Sequence, residues 1–370
     1  MIYLKSSSSV IYTLVIIIST LFLGTSIRIN KKNTRYTAYI IITCFTSLFA
    51  AFRGNAGTDT NMYHYVFNTG DPTAAVLGSD GRWQNIEKGY MVINSFCRKI
   101  MPFEMFLFIL SFITIFLIII CIENYRKYVN SYVSAFVLYT TFYLNSFNMV
   151  RQALAISLCM FAFFCYLDNK IWLSLMTMFL ALTIHTSALI FLFIYISKII
   201  FKKEKWVFLS LIIIVFLVFN RQLFGQLVLF LTKNNYYAGY FIRDAETNGN
   251  IFRYLLRISP ILIVTGVFYP KLSKNMSFRI ILVLMVMGYL LFGLNAETDT
   301  QVGRIGVYFE TLNIFGLGII SNNNLIISKM KVTISKNIVS TVLLLYLFGL
   351  YTYSALIMNN GQLIPYGSLL

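Results

Sequence analysis

Charge is scarce in this chain, and acidic charge is the scarcest. Of 370 residues only 12% are charged, and 13 Asp or Glu stand against 30 Lys or Arg. A soluble domain of ordinary composition has about a quarter charged residues, so a water-exposed globular surface is excluded. The five cysteines show no CxxC or Cys/His spacing, which leaves no sequence signal for a zinc site or a disulfide framework.

The chain has long apolar stretches instead. Hydrophobic residues make up 58% of the sequence, the mean hydropathy is +0.74, and residues 11–23, 106–122 and 207–219 are nearly uninterrupted apolar runs. A helix needs about 20 mostly apolar residues to cross a bilayer, where every backbone polar group must be satisfied internally. We therefore predict an all-α polytopic membrane protein, with residues 1–370 forming a single transmembrane domain. The predicted spans are 8–27, 37–52, 103–122, 131–147, 149–167, 171–184, 186–201, 206–220, 252–269, 278–294, 303–320 and 337–357.

The distribution of charge predicts the orientation. The net charge of +17 is scattered over short loops between spans, which is the pattern of cytoplasmic loops rather than of a nucleic-acid surface. Basic residues follow the first apolar run, so we expect an uncleaved first span with its N-terminus outside. The two long polar segments, 53–102 and 221–251, then lie on the outer face. The run 171–201 is split at His185; a single long helix is the alternative and would invert everything downstream.

Five arginines lie at the predicted outer ends of spans, where positive charge is normally avoided. They are Arg53, Arg151, Arg253, Arg257 and Arg304. An Arg at the edge of the apolar region is costly unless it is paired or lines a wet cavity, and its planar fork suits a phosphate or diphosphate. Gln152 follows the second of these arginines. The alternative is that each Arg side chain extends to lipid headgroups.

Three residues are candidates for a general base, and their ranking stays open: Asp59, Glu87 and His185. A carboxylate in a partly dry pocket can accept a proton, although a salt-bridge role is equally compatible with its position. His185 falls within a long apolar run, where ionisable residues are rare and costly, so a functional role is favoured over a packing role. Glu297 and Asp299 have an alternating spacing that is a weak metal signal, and we predict no metal. Tyr237 and Tyr240 of the second long segment would stack on sugars or form an interfacial belt. Tyr63 of the first long segment is a further candidate for substrate binding.

Four segments carry a resemblance to a known family. Residues 53–63, 87–90, 148–155 and 182–189 resemble, in order and spacing, the EpsG family within the Wzy-type O-antigen and exopolysaccharide polymerases. The resemblance covers residues 40–200. It implies a GT-C-like helical bundle in the bacterial inner membrane, with its active site facing the periplasm or cell exterior.

The resemblance also implies an activity and a substrate. Such a glycosyltransferase joins oligosaccharide repeat units carried on undecaprenyl diphosphate, without a cofactor, and a chain-length regulator is an expected partner. Arg53, Arg151, Arg257 and Arg304 would stabilise the charge that develops on the diphosphate. Two rivals stay open: an O-antigen ligase, and a flippase for the same lipid-linked oligosaccharide. A flippase should show related halves and charges through the depth of the bundle, and the sequence shows neither.

Overall fold

The computed structural model describes residues 2–71, 86–220, 251–293, 303–327 and 332–367, together with residues 223 and 226. The chain forms two compact units, one of Met1–Leu189 with Leu317–Leu370 and one of Ile190–Gly316. The organisation as a single membrane domain stays a prediction.

The first unit is built of helices. They are α1 Ile2–Ser26, α2 Lys32–Ala51, α3 Thr60–Thr69, α4 Lys88–Cys97, α5 Phe103–Tyr125, α6 Ser131–Val137, α7 Leu144–Ser146, α8 Val150–Leu167 and α9 Ile171–Ile184. A π-helical stretch, Leu138–Tyr143, joins α6 to α7. The predicted outer segment 53–102 thus contains two short helices, α3 and α4, whose polar composition gave no span signal.

The rest of the described chain is also mainly helical. A 3-10 helix Thr186–Phe193 leads into α10 Ile194–Ile200, α11 Glu204–Phe219, α12 Ile251–Leu272, α13 Met276–Gly293, α14 Gly303–Glu310 and α15 Asn313–Ser321. A small antiparallel hairpin follows, β1 Leu325–Ile327 with β2 Val332–Ile334, and then α16 Lys336–Tyr351 with a π-helical end Thr352–Ile357. Strands of three residues are too short to show a period in sequence, so the hairpin was not predicted.

The all-α membrane class agrees with this architecture. Each of the twelve predicted spans falls on a helical segment. Five helices of the described part are long and apolar enough to cross a membrane, and four shorter apolar helices accompany them. The number of crossings therefore stays a prediction, as do the GT-C-like fold and the sidedness. The predicted break at His185 is present: α9 ends at Ile184, and His185 has an extended backbone.

Long-range contacts in the first unit sort its helix ends into two sets. At one end, Arg35 near the start of α2 pairs with Glu123 near the end of α5, at 2.7 Å. At the other end, the Tyr12 hydroxyl in the N-terminal half of α1 donates to the carbonyl of Leu363 beyond α16, at 2.9 Å. Helices that alternate in direction bring these ends together, as the sequence topology requires. The segments of the first unit that contain Arg53, Glu87, Arg151 and His185 lie at the second end.

Candidate active site

The carboxylate of Glu87 contacts a guanidinium, an imidazole and the first residue of a 3-10 helix. Glu87 Oε2 accepts from Arg151 Nη1 at 2.6 Å, while Oε1 lies 3.1 Å from His185 Nδ1. The backbone N–H and hydroxyl of Thr186 also donate to Oε1, at 2.8 and 3.0 Å. Three charged or titratable residues that the sequence singled out thus form one cluster.

Three helix ends hold this cluster. Glu87 immediately precedes α4, Arg151 is the second residue of α8, and His185 directly follows α9. Gly89 allows α4 to approach the end of α9 closely, since a Cβ at this position would lie 2.4 Å from the carbonyl oxygen of Thr183. The absence of a side chain at Gly89 therefore allows Glu87 to come within hydrogen-bond distance of His185 and Thr186.

The cluster fixes the protonation of its carboxylate. Burial alone would raise the pKa of Glu87, because it disfavours the charged form. The hydrogen bond and charge of His185, the charge of Arg151 and the backbone N–H of Thr186 outweigh burial and lower that pKa to about 2. Glu87 is accordingly ionised near neutral pH and is a poor general base.

The same geometry favours His185 as the base. If Glu87 accepts the proton carried by Nδ1, the neutral imidazole presents its lone pair at Nε2. A carboxylate behind an imidazole also stabilises the imidazolium that forms when the ring takes a proton. The contacts are therefore compatible with His185 as a proton acceptor and Glu87 as the group that orients it.

Two buried tyrosines surround the guanidinium. The guanidinium carbon of Arg151 lies 5.6 Å from the ring centre of Tyr90, and the Tyr63 hydroxyl hydrogen-bonds with Arg151. The two rings are 6.4 Å apart in an edge-on arrangement. Gln152 is buried on the same helix. An aromatic wall orients the planar fork and stabilises its charge.

Arg53 lies inside the protein rather than at an open surface. Only 2% of it is exposed, and its guanidinium donates to the carbonyls of Ala50 and Phe147 at 3.2 and 3.1 Å. It also lies 4.9 Å from the Phe147 ring, and Thr60 Oγ1 accepts from it at 3.4 Å. Burial lowers the pKa of Arg53 to about 10, which still leaves it cationic at neutral pH. These contacts favour a positioning role over direct contact with a diphosphate.

Asp59 lies beside the cluster. It directly precedes α3 and is half-buried, and its carboxylate accepts from the Thr58 hydroxyl at 3.1 Å. Its charge acts on Tyr63, the tyrosine that contacts Arg151. The position is that of an electrostatic neighbour of Tyr63 and Arg151.

The comparison with protein families identifies the chain. The family model described as the EpsG family matches residues 36–368, nearly the whole chain. The chain belongs to the EpsG family. Membership makes it a membrane protein of the polysaccharide-polymerase type and confirms the resemblance drawn from the four segments. Neither the curated proteins nor the solved structures contain a match.

Of the remaining predicted site residues of this EpsG-family chain, Arg257 belongs to the second compact unit and the others lie outside the described side chains. In the second compact unit, the guanidinium carbon of Arg257 lies 5.4 Å from the Tyr254 ring centre, and the charge of Arg257 acts on Glu310. The backbone of Arg253 and Arg304 is described, but their side chains are not. Tyr237, Tyr240, Glu297 and Asp299 lie outside the described residues.

Sequence reasoning missed three uncharged or acidic residues that matter here. Thr186 donates twice to Glu87, Tyr90 underlies Arg151, and Glu310 is an acid within a predicted span. The first two were within the segments that carried the family resemblance, but an uncharged side chain has no signal of its own. For Glu310 a signal existed, because an ionisable residue in an apolar helix is rare.

Proposed function

We propose that this EpsG-family protein is a lipid-linked oligosaccharide polymerase of the Wzy type. It joins repeat units carried on undecaprenyl diphosphate into O-antigen or exopolysaccharide at the outer face of the inner membrane. The growing chain is transferred from its lipid diphosphate onto a new lipid-linked unit. Family membership supports the class, and the bonding of Glu87 to both Arg151 and His185 is the observation that carries the reaction.

The reaction needs a base next to the acceptor hydroxyl and positive charge next to the diphosphate of the donor. His185 Nε2 takes the proton of an acceptor-sugar hydroxyl, whose oxygen forms a bond to the anomeric carbon of the donor. The bond from that carbon to the diphosphate oxygen breaks, and its electron pair stays on the lipid diphosphate. Arg151 stabilises this developing charge through its planar fork. Arg257 and Arg304 stay proposed contacts of the same leaving group.

Glu87 makes both roles compatible in one small site. It neutralises Arg151 while no substrate is bound, so that a guanidinium at a helix start is not left as an isolated buried charge. It also holds the imidazole in the tautomer that accepts a proton at Nε2. A diphosphate that binds Arg151 would share it with Glu87, and neither group requires a metal ion for this chemistry.

The surface-glycan ladder of a deletion strain tests the proposal. We expect the ladder to collapse to a single repeat unit on its acceptor, and the restored gene to return it, because flipping and ligation do not depend on a polymerase. Loss of even the single unit, with lipid-linked repeats accumulating, would instead assign the chain to a flippase or a ligase.

A further inference from the structure

The chain after α16 returns to the active-site end of the first unit. Residues 359–367, here called the tail, lie along the segment that follows α2. The N–H of Gly57 donates to the carbonyl of Gln362 at 2.9 Å, and the N–H of Gly367 donates to the carbonyl of Arg53 at 3.0 Å. The Tyr366 ring stacks on Phe49 with centres 4.2 Å apart and planes 8° from parallel.

The tail also bonds to residues in the N-terminal half of α1 and to itself. The hydroxyl of Tyr12 donates to the Leu363 carbonyl at 2.9 Å, and Leu363 is buried. Ser8 Oγ accepts from the backbone N–H of Tyr366 at 3.0 Å. The side-chain amide of Asn359 bonds both the N–H and the carbonyl of Ile364, at 2.9 and 3.0 Å, which closes the turn. So many directional contacts are typical of a packed element, and a fraying terminus lacks them.

The centre of the tail encloses Asn148 against the loop before α3. Asn148 Oδ1 accepts from the backbone N–H of Thr58 at 2.7 Å. A Cβ on Gly57 would lie 2.9 Å from this oxygen, and a Cβ on Gly361 would lie 2.2 Å from Asn148 Nδ2. Both glycines have positive φ, +104° and +83°, which L-residues rarely adopt. Two glycines therefore hold one amide from opposite sides.

We propose that the tail is a positioning element of the active site: by enclosing Asn148 between Gly57 and Gly361, it fixes the start of α8 and thereby the guanidinium of Arg151. Asn148 lies two residues before α8 and three before Arg151. This inference rests on the proposed function for its effect on rate. Its structural part, the enclosure of Asn148 by the tail, can be measured without any substrate.

The chain provides a matched pair of variants. Gly361→Ala drives a methyl group into Asn148. Gly367→Ala adds the same methyl group to the same tail at a similar backbone angle, φ +74°, where no heavy atom lies within 4 Å. Both substitutions carry the cost of a positive φ, but only the first displaces Asn148. The rate of amide hydrogen exchange at residues 147–151, measured on the purified full-length protein, reports whether Asn148 and the start of α8 are displaced.

We expect faster exchange at residues 147–151 in Gly361→Ala and unchanged exchange in Gly367→Ala. We also expect about tenfold slower chain extension per folded Gly361→Ala protein, since small misplacements of a catalytic group are costly. The loss should be smaller when Arg151→Lys is already present, because coupled residues are non-additive. A tail that only stabilises the fold would give additive losses.

Equal exchange in the two variants, or full additivity with Arg151→Lys, would overturn the positioning role. Wild-type protein that does not extend chains would count against the proposed function and remove the rate part of this inference. In that case the exchange comparison still decides whether the tail fixes the start of α8.

Discussion

Replacing Glu87 by glutamine separates catalytic from structural roles, because it removes one charge with little change of shape. The pKa of Glu87 is about 2 in the folded protein against an ordinary 4.5. At about 1.4 kcal/mol per pKa unit, the surroundings favour the carboxylate by about 3 kcal/mol. Removing one partner of a buried ion pair costs a similar amount, about 3–5 kcal/mol. We therefore expect Glu87→Gln to lower the free energy of unfolding by about 3 kcal/mol.

The Arg35–Glu123 pair provides the matched control. Its N–O distance is 2.7 Å with side chains 5% and 10% exposed, against 2.6 Å and 11% for both side chains of the Arg151–Glu87 pair. Tyr39 also donates to Glu123, at 2.8 Å. Glu123→Gln should destabilise the protein comparably. Glu123 lies near the end of α5, at the opposite end of the first unit from the imidazole of His185.

Chain extension of lipid-linked repeat units, divided by the amount of folded protein, is the deciding assay. An imidazole without its orienting carboxylate loses the advantage of a positioned base, which is worth about 100-fold or more. We expect that loss in Glu87→Gln, and at most a few-fold change in Glu123→Gln. The reasoning is refuted if Glu87→Gln extends chains normally, or if both variants lose activity equally per folded protein.

Four further outcomes follow from the same contacts. His185→Asn keeps a donor near Glu87 but removes the base, so extension per folded protein should fall about 100-fold, with a loss of melting temperature no larger than that of Glu87→Gln. Arg151→Ala should abolish the glycan ladder at normal membrane levels, while Arg151→Lys should restore it only in part, since a point charge replaces a bidentate fork. Gly89→Ala should lower the melting temperature and shorten the ladder, because the added Cβ would clash with the Thr183 carbonyl. Its control, Gly349→Ala, should do neither, because the added Cβ would meet no atom within 4 Å. The pKa of Glu87 is depressed, so its ion-pair stabilisation is complete above about pH 4.5 and is lost as pH falls toward 2; melting curves of wild type should show this acid loss more steeply than those of Glu87→Gln.

The sequence predicted the helices and several site residues because both have strong local signals. Apolar runs near span length marked helical segments at every predicted position, and the break at His185 followed from the excessive length of the run around it. Arg151 and His185 were found because charged or titratable residues at or inside apolar spans are rare. Glu87 was found as an acid of the outer segment 53–102 within a segment that resembles the family. The family resemblance of residues 40–200 extended, in the family comparison, to residues 36–368.

The pairing of those residues could not be predicted. Glu87 and Arg151 are 64 residues apart, and no local pattern records which ends of α4 and α8 meet. The internal hydrogen bonds of Arg53 could not be predicted either. An Arg that donates to two backbone carbonyls looks the same in sequence as an Arg that binds a diphosphate. Asn148 and the tail carried no charge signal at all. The proposed division into catalytic and positioning roles therefore rests on tertiary contacts.

The charges of the cluster explain why one carboxylate can serve two partners during the proposed transfer. With a neutral imidazole, Arg151 and Glu87 cancel and the cluster has no net charge. When His185 takes the proton of the acceptor hydroxyl, the cluster becomes singly positive at the moment the diphosphate leaves with its electron pair. Because the side chains of the cluster are only 11–17% exposed, this positive charge is weakly screened and acts strongly on a nearby anion. A carboxylate that itself took the proton would give the same net change. The charge of Arg151 and the backbone N–H of Thr186 stabilise the ionised carboxylate and oppose that route. In the proposed reaction the imidazole is therefore the group that couples proton transfer to departure of the lipid diphosphate.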